Sequence, residues 1–381
     1  MDAIEVQRLV LTHFKSYSSE KFEMGPGFQV IAGQNGMGKT NVLDALYYLG
    51  MCRSYFSLRD KELVRHGEEF FRLEVHYSRG GVQATVIAKV KPGDLKIFEK
   101  DKKPYDTLAS HIGQIPVVLI APNDTQLITG LGEERRKFFD QTLCQIDKNY
   151  LHQLTIYNRL LLQRNAWLKR MLAGIREDPS MLDTFDAQMA APAAFIVKAR
   201  AQFSKYLAAK TKDIYAALSR EREVPGAVYK TKLLETNWED MANRFRSTDM
   251  RFGRTTEGLH RDDLELQLDG YPARRFSSQG QLKSFIMALK LAQFQFIAEE
   301  KGVLPLLLLD DIFDKLDNER VAALIQYLAG STVGQVVITD TDHNRVPLIL
   351  AGNQQPFRTF RMVDSHIMQD VDQTDGYAET K

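Results

Sequence analysis

Phe28-Gln29-Val30-Ile31-Ala32 runs directly into Gly33-Gln34-Asn35-Gly36-Met37-Gly38-Lys39-Thr40. The second stretch matches G-x4-G-K-[ST] at every fixed position, and the first is the apolar strand such a loop needs before it. A helix is expected to follow over Lys39–Leu49. Small residues let consecutive backbone N–H groups turn inward and cradle phosphates at a helix N-terminus. On this reading Gly33, Gln34, Asn35, Gly36, Met37, Gly38, Lys39, Thr40 and Asn41 form a nucleotide site. Lys39 reaches the β- and γ-phosphates, and the Thr40 hydroxyl is placed to ligate Mg2+.

Further along, Leu306-Leu307-Leu308-Leu309-Asp310-Asp311 is an aliphatic run ending in two acids. A buried strand ending in Asp delivers a carboxylate to the carboxyl end of a parallel sheet, where ligands of open α/β sheets bind. Asp310 is placed to hold Mg2+ through its waters, and Asp311 to polarise an attacking water. Before that strand, Phe276-Ser277-Ser278-Gln279-Gly280-Gln281-Leu282-Lys283 opens a long helix, expected over Gln279–Lys301. Ser278 suits its N-cap. Gly280 in the first turn costs about 1 kcal/mol against Ala. It is explained if a phosphate must approach the backbone closely.

The first 122 residues read as strand-rich, with runs at Ile4–Leu11, Phe28–Ala32, Phe70–Tyr77, Val82–Val90 and Ile115–Ile120. Turn signals such as Gly80-Gly81 and Pro92-Gly93 separate them. From Glu133 to about Arg222, Leu151, Leu154, Leu161, Leu168, Met189, Ile196, Phe203 and Leu207 recur at helical spacing. With a break near Gly174–Pro179, they predict two long helices in an antiparallel hairpin. From Asp262 the β/α texture returns, with strands at Leu264–Leu268, Leu304–Leu309 and Gln335–Thr339 and a helix at Asn318–Leu328. The fold class is α/β: an ATPase lobe with a mixed sheet flanked by helices, carrying an inserted α-helical second lobe. The expected division is 1–132 and 258–363 for the ATPase lobe, 133–257 for the insertion, and 364–381 for an acidic, frayed tail.

The length of 381 residues allows about two or three domains at roughly 150 residues each. Fifty Lys/Arg against 49 Asp/Glu leave a net charge of +1, so any basic surface is local. Glu133–Lys212 holds 14 Lys/Arg against 8 Asp/Glu, a local +6. That excess is either a solvated helix face or a contact for an anionic polymer, with Arg159, Arg164, Lys169 and Arg170 as candidates. Arg135, Arg136 and Lys137 compete for that role with pairing to Glu133 and Glu134. Cys52 and Cys144 read most simply as packed thiols of a reducing compartment, with one bridge between them left open. The apolar runs Ile115–Pro122 and Val303–Leu309 fall far short of the roughly 20 residues that cross a bilayer. No membrane partner and no secretory leader are expected, and the cytoplasm is the expected location.

The order of phosphate loop, helical insertion, S-x-G-Q helix and acidic strand end resembles that of ATP-binding-cassette (ABC) heads, including the structural-maintenance-of-chromosomes (SMC) group. More narrowly, the chain resembles the RecF family of bacterial recombination and gap-repair ATPases. The segments that carry the likeness are Leu11–Tyr17 (LTHFKSY), Gly33–Asn41 (GQNGMGKTN), Val117–Asp140 (VVLIAPNDTQLITGLGEERRKFFD), Gly258–Leu264 (GLHRDDL), Ser277–Gln293 (SSQGQLKSFIMALKLAQ) and Leu308–Asp317 (LLDDIFDKLD). They span most of the chain in the right order.

The resemblance implies ATP and Mg2+ as cofactors and an ATP-dependent homodimer that sandwiches the nucleotide. Ser278, Gln279, Gly280 and Gln281 would be the signature that meets the γ-phosphate held by the other copy. Lys315 and Asp317 would lie on a loop crossing that interface, and Asp311 and Lys39 would carry catalysis. Gln126 falls where related heads put a glutamine that contacts metal or water, with Asn123 and Asp124 equally near. Double-stranded and gapped DNA would be bound at single-strand/double-strand junctions. The chain would help RecR and RecO load RecA over single-strand-binding protein, hydrolysing ATP slowly, stimulated by DNA, at the nucleoid. The alternative is a soluble ATPase subunit of another ABC system, for transport or chromosome maintenance; EERRKFFD and HRDDL count against it.

Two departures stand out. Many cassettes have Asp-Glu where this chain has Asp310-Asp311, and the shorter acid suggests slow hydrolysis. A switch histidine would directly follow Thr339, where Asp340 stands; His343 lies further on and reads more simply as a surface residue. His260-Arg261-Asp262-Asp263 reads as a polar brace for the signature helix or the domain junction rather than as a metal site.

Overall fold

Four strands of at least four residues in the computed structural model are buried at every residue: Phe28–Ala32, Val117–Ile120, Leu306–Leu309 and Val336–Asp340. Unbroken apolar runs of this kind suit a parallel sheet covered on both faces. They lie in a six-stranded sheet ordered His366–Asp372, Phe357–Val363, Phe28–Ala32, Val336–Asp340, Leu306–Leu309, Val117–Ile120. Every pairing is parallel except the first, which is antiparallel. Residues 1–175, 178, 180–219, 223–313 and 318–372 are described. Among them no helix is long and apolar enough to cross a membrane.

A second, largely antiparallel sheet covers much of the first 104 residues, in the order Val303–Leu304, Asp2–Phe14, Phe71–Arg79, Val82–Lys91, Leu95–Lys100, Lys103–Pro104. Tyr17–Glu23 also pairs with Asp2–Phe14. The run expected as one strand over Leu304–Leu309 is two. Val303–Leu304 joins Asp2–Phe14 in this sheet, and Leu306–Leu309 joins the parallel one. Pro305, with no N–H to donate, stands between them. Buried Gln335 holds the two sheets close at a bulge after Val6: it accepts from Val6 N at 2.8 Å and donates to the Val6 carbonyl at 2.8 Å.

The chain folds into two compact units. The first comprises Met1–Asp124, Ile214–Glu221 and Met287–Lys381; the second comprises Thr125–Asp213 and Arg222–Ile286. The expected divisions after 132 and 257 therefore differ from the observed ones. The second unit begins at Thr125, and the return falls inside the helix Gln279–Lys301. Leu264–Leu268, expected in the ATPase lobe, belongs instead to a three-stranded sheet of the second unit, Tyr271–Pro272, Asp263–Leu268 and Pro225–Lys230.

The helical part of the second unit holds Gly132–Ile146, Lys148–Leu172 and Ser180–Leu218 as far as Asp213. Asp147 caps the middle helix by accepting from Asn149 N at 2.7 Å. Arg164 meets Asp186 and Tyr150 meets Arg200, so the last two helices run antiparallel, as expected. The tail differs from expectation: His366–Asp372 forms an edge strand against Phe357–Val363. The remainder of the tail, 373–381, lies outside the described residues.

Candidate active site

The phosphate loop is fixed from below and from the side. Gly33 N donates to the Asp340 carbonyl at 3.1 Å, and a Cβ at Gly33 would stand 2.7 Å from the Met362 carbonyl oxygen. Gly38 begins the helix Lys39–Met51 at φ +89°, a conformation that glycine adopts without strain. Tyr17 Oη donates to the Gly38 carbonyl at 3.0 Å, and Asn41 Nδ2 donates to Ser16 Oγ at 2.9 Å. Both partners come from LTHFKSY, a segment that the sequence marks only by resemblance.

Lys39 is buried, and its ammonium donates to the carbonyls of Gly33 at 2.6 Å and Gln34 at 3.0 Å. Burial pulls its pKa below the ordinary 10.5, opposed by the charges of Asp311, Asp310 and Asp340. Thr40 Oγ1 donates to Asp310 Oδ1 at 2.8 Å, so the loop and the acidic strand end meet as expected. Thr339 Oγ1 donates to the same oxygen at 2.9 Å and accepts from Asp311 N at 2.9 Å. One hydroxyl thereby sets both acids. Asp311 sits at φ +45°, a left-handed conformation that costs a non-glycine residue about 1–3 kcal/mol and persists where its surroundings enforce it. Burial raises the Asp310 pKa, and the bonds from Thr40 and Thr339 oppose the rise.

Thr40 and Asp310 offer oxygen ligands only, which suits Mg2+ completed by phosphate oxygens and water. Among the described residues no group of three His, Cys, Asp or Glu could hold a metal without such help.

At the switch position, buried Asp340 receives Arg345, whose Nε lies 2.9 Å from Asp340 Oδ2 and whose Nη2 bonds Asp340 Oδ1. Arg345 also reaches the Phe313 carbonyl at 3.2 Å, which ties this strand end to the segment after Asp311. Thr339 and Arg345 are the functional residues that sequence reasoning missed. A threonine and an arginine flanking an acidic strand end carry no motif.

The signature belongs to the second unit. Ser278 Oγ accepts from Gln281 N at 3.2 Å, and Gln281 Oε1 accepts from Ser278 N at 2.6 Å. This reciprocal capping box fulfils the N-cap expectation. Gln281 also donates to Glu223 at 2.6 Å. Ser278 and Gln279 are exposed and Gly280 half-buried. Lys315 and Asp317 lie outside the described residues. Of the three candidates for the metal-contacting position, Asp124 is committed elsewhere: it accepts from Ala121 N at 2.8 Å, bonds Tyr55 and pairs with Lys290 at 3.7 Å. Gln126 and Asn123 are exposed. His343 is half-buried.

The basic candidates divide. Arg164 is wholly buried and bonded to Asp186 at 2.9 Å, Asp249 at 2.7 Å and Thr255 at 2.8 Å, which removes it as a DNA contact. It lies on one helix face with Tyr157, Leu160, Trp167 and Leu168, all buried. That spacing is the signal available in the sequence. Arg159, Lys169 and Arg170 are exposed. Arg135 makes a forked pair with Asp263 at 2.6 and 2.9 Å, and Lys137 pairs with Glu133 and Glu134. Asp262 receives Arg200 at 3.1 Å and Tyr229, and burial raises its pKa against the pull of Arg200. Asp262 and Asp263 therefore brace the second unit through arginines.

A family model described as the RecF/RecN/SMC N terminal domain matches residues 5–103. The DNA replication and repair protein RecF of Porphyromonas gingivalis is 38% identical over 366 residues, covering 96% of this chain and 100% of that protein. RecF of Flavobacterium johnsoniae is 35% identical over 94% of this chain and 100% of its own. A solved structure described as the recombination mediator protein RecF with ATP in the RecFOR pathway superposes with a TM-score of 0.86 at 26% identity, covering 97% of this chain and 98% of that one. An Smc head domain from Pyrococcus furiosus, at TM-score 0.56 and 16% identity, shares the fold.

Proposed function

This chain belongs to the RecF family of DNA replication and repair proteins, and on that premise we propose that it is a clamp for gapped DNA, closed by ATP between two copies of itself. Its head is of the ABC/SMC type. One observation carries the reading: Thr40 and Asp310, 270 residues apart in sequence, meet at 2.8 Å with Asp311 next in the chain. Loop and acids thus already stand on one site.

Lys39 exchanges its two backbone carbonyl partners for the β- and γ-phosphates when ATP enters. Thr40 and Asp310 would hold Mg2+, which would supply neutralisation of phosphate charge. Asp311 polarises the water that attacks the γ-phosphate, giving ADP and phosphate. Its single methylene keeps the carboxylate close to the backbone, so turnover is slow and the closed state long-lived. Ser278, Gln279, Gly280 and Gln281 of one copy meet the γ-phosphate held by the other. Gln126 remains the candidate for a contact to metal or water, and Lys315 and Asp317 for the interface.

Double-stranded and gapped DNA, RecR and RecO are the partners, RecA is the recombinase loaded, and the cytoplasm at the nucleoid is the place. The likeness to a mediator described in the RecFOR pathway supports these assignments. The test is ATP turnover with and without gapped DNA. Stimulation by DNA is expected; turnover indifferent to every DNA tried would return the chain to the other ABC roles.

A further inference from the structure

Directly before the signature helix, Tyr271-Pro272-Ala273-Arg274-Arg275-Phe276 makes a two-residue strand and one helical turn. Ala273 is buried and anchors the turn, while the other five residues face solvent. Tyr271 is 62% exposed and Phe276 65%, and their rings touch, with centroids 5.6 Å apart and planes tilted by 56°. Large aromatics displayed as a pair differ from the scattered apolar residues of ordinary surface. Among the described residues, neither Arg274 nor Arg275 has a side-chain hydrogen bond or an ion pair. The acids on the same sheet and its flank are engaged elsewhere: Asp263 with Arg135, Glu265 with Lys230, Asp269 with Val224 N and Glu223 with Gln281. Two uncommitted cations therefore stand beside two uncovered rings.

We propose that this segment is a contact for single-stranded DNA, with Tyr271 and Phe276 stacking on bases and Arg274 and Arg275 taking the phosphodiester. Aromatic faces accept any base, and guanidinium groups both pair with phosphate and stack. Paired bases inside a duplex offer no free face, so this chemistry selects unpaired strand. The competing occupant is a second copy of this chain. Without nucleotide, the face of that copy has little to offer the arginines, since Asp310 is held by Thr40 and Thr339, and Asp340 by Arg345. The inference rests on the reading that the chain works at gapped DNA, and it assigns the single-strand half of that junction.

Fluorescence anisotropy of the full chain without nucleotide tests it, using labelled oligo-dT and, separately, a blunt duplex. Phe276→Ala, and Arg274→Glu with Arg275→Glu, weaken oligo-dT binding by roughly tenfold or more and leave duplex binding unchanged. Phe276→Tyr keeps the ring and restores the affinity. All four side chains are exposed, so the variants keep the wild-type melting temperature. Oligo-dT binding unchanged in both variants overturns the proposal. If they hold oligo-dT normally but lose ATP-dependent dimers, the segment belongs to the second copy. If the wild-type chain binds neither probe, with or without ATP, the DNA reading itself fails.

Discussion

The phosphate loop and the helical unit both bury cations, and they treat them oppositely. In the helical unit Arg164 is neutralised by Asp186 and Asp249, and Arg200 by Asp140 and Asp262, all at contact distance. At the phosphate loop, among the described residues, buried Lys39 hydrogen-bonds only to backbone carbonyls, and Asp310 only to hydroxyls and backbone. Charge in the first region serves structure. In the second it is kept apart, which leaves room for the polyanion and the metal proposed for this site.

The largest effect expected from this contrast falls on chemistry. Asp311→Asn keeps the shape and loses the charge, so steady-state turnover drops by about 10²–10⁴-fold while ATP still binds. Unchanged turnover would move catalysis to another carboxylate. Next comes stability. Arg164→Met strands Asp186 and Asp249 without the cation they share and costs about 3–5 kcal/mol in denaturant melts. A loss under about 1 kcal/mol would mean that the network is not structural. Lys39→Met, by contrast, should spare the melt and lower ATP affinity by roughly 10–100-fold in calorimetry, the worth of one charge-assisted contact.

The Lys39 pKa sharpens the comparison. It lies below 10.5 because the ammonium is buried. The native state then sheds this proton at lower pH than the unfolded chain. ATP affinity should fall as pH rises through that lowered value, before 10.5 is reached, while the contribution of this group to folding stability rises over the same window. An affinity profile that breaks only above 10.5 would show a solvated lysine. The smallest effect concerns the exposed cations. Neutralising Lys169 and Arg170 should flatten the salt slope of duplex binding by about 0.9 for each phosphate left without its cation. An unchanged slope would place duplex DNA elsewhere on the protein.

What can be read from the sequence follows from how local each signal is. The phosphate loop, the acidic strand end and the Ser278 cap are fixed by neighbouring residues, and each stands where its spacing places it. Tyr17–Glu23 is hard to see because Ser18, Ser19, Glu20 and Lys21 mask a strand whose buried positions are Tyr17 and Phe22. The run at Val303–Leu309 reveals its burial but not its division between two sheets, which long-range pairing decides. Leucine spacing puts the helix stripe on Leu151, Leu154, Leu161 and Leu168; Leu168 is buried, but the rest of the buried face runs through Tyr150, Tyr157, Leu160, Arg164 and Trp167. A charged residue at a core position counts as polar in any periodicity, so its buried ion pairs stay hidden until Asp186 and Asp249 are brought to it.

In the proposed clamp, ATP joins two copies through the signature of one and the phosphate loop of the other. Light scattering of Asp311→Asn with ATP, alone and combined with Ser278→Arg, tests it most directly. Adding ATP to Asp311→Asn should double its mass, and adding Ser278→Arg should leave a monomer that still binds ATP. A double variant that dimerises as readily as Asp311→Asn alone would contradict it.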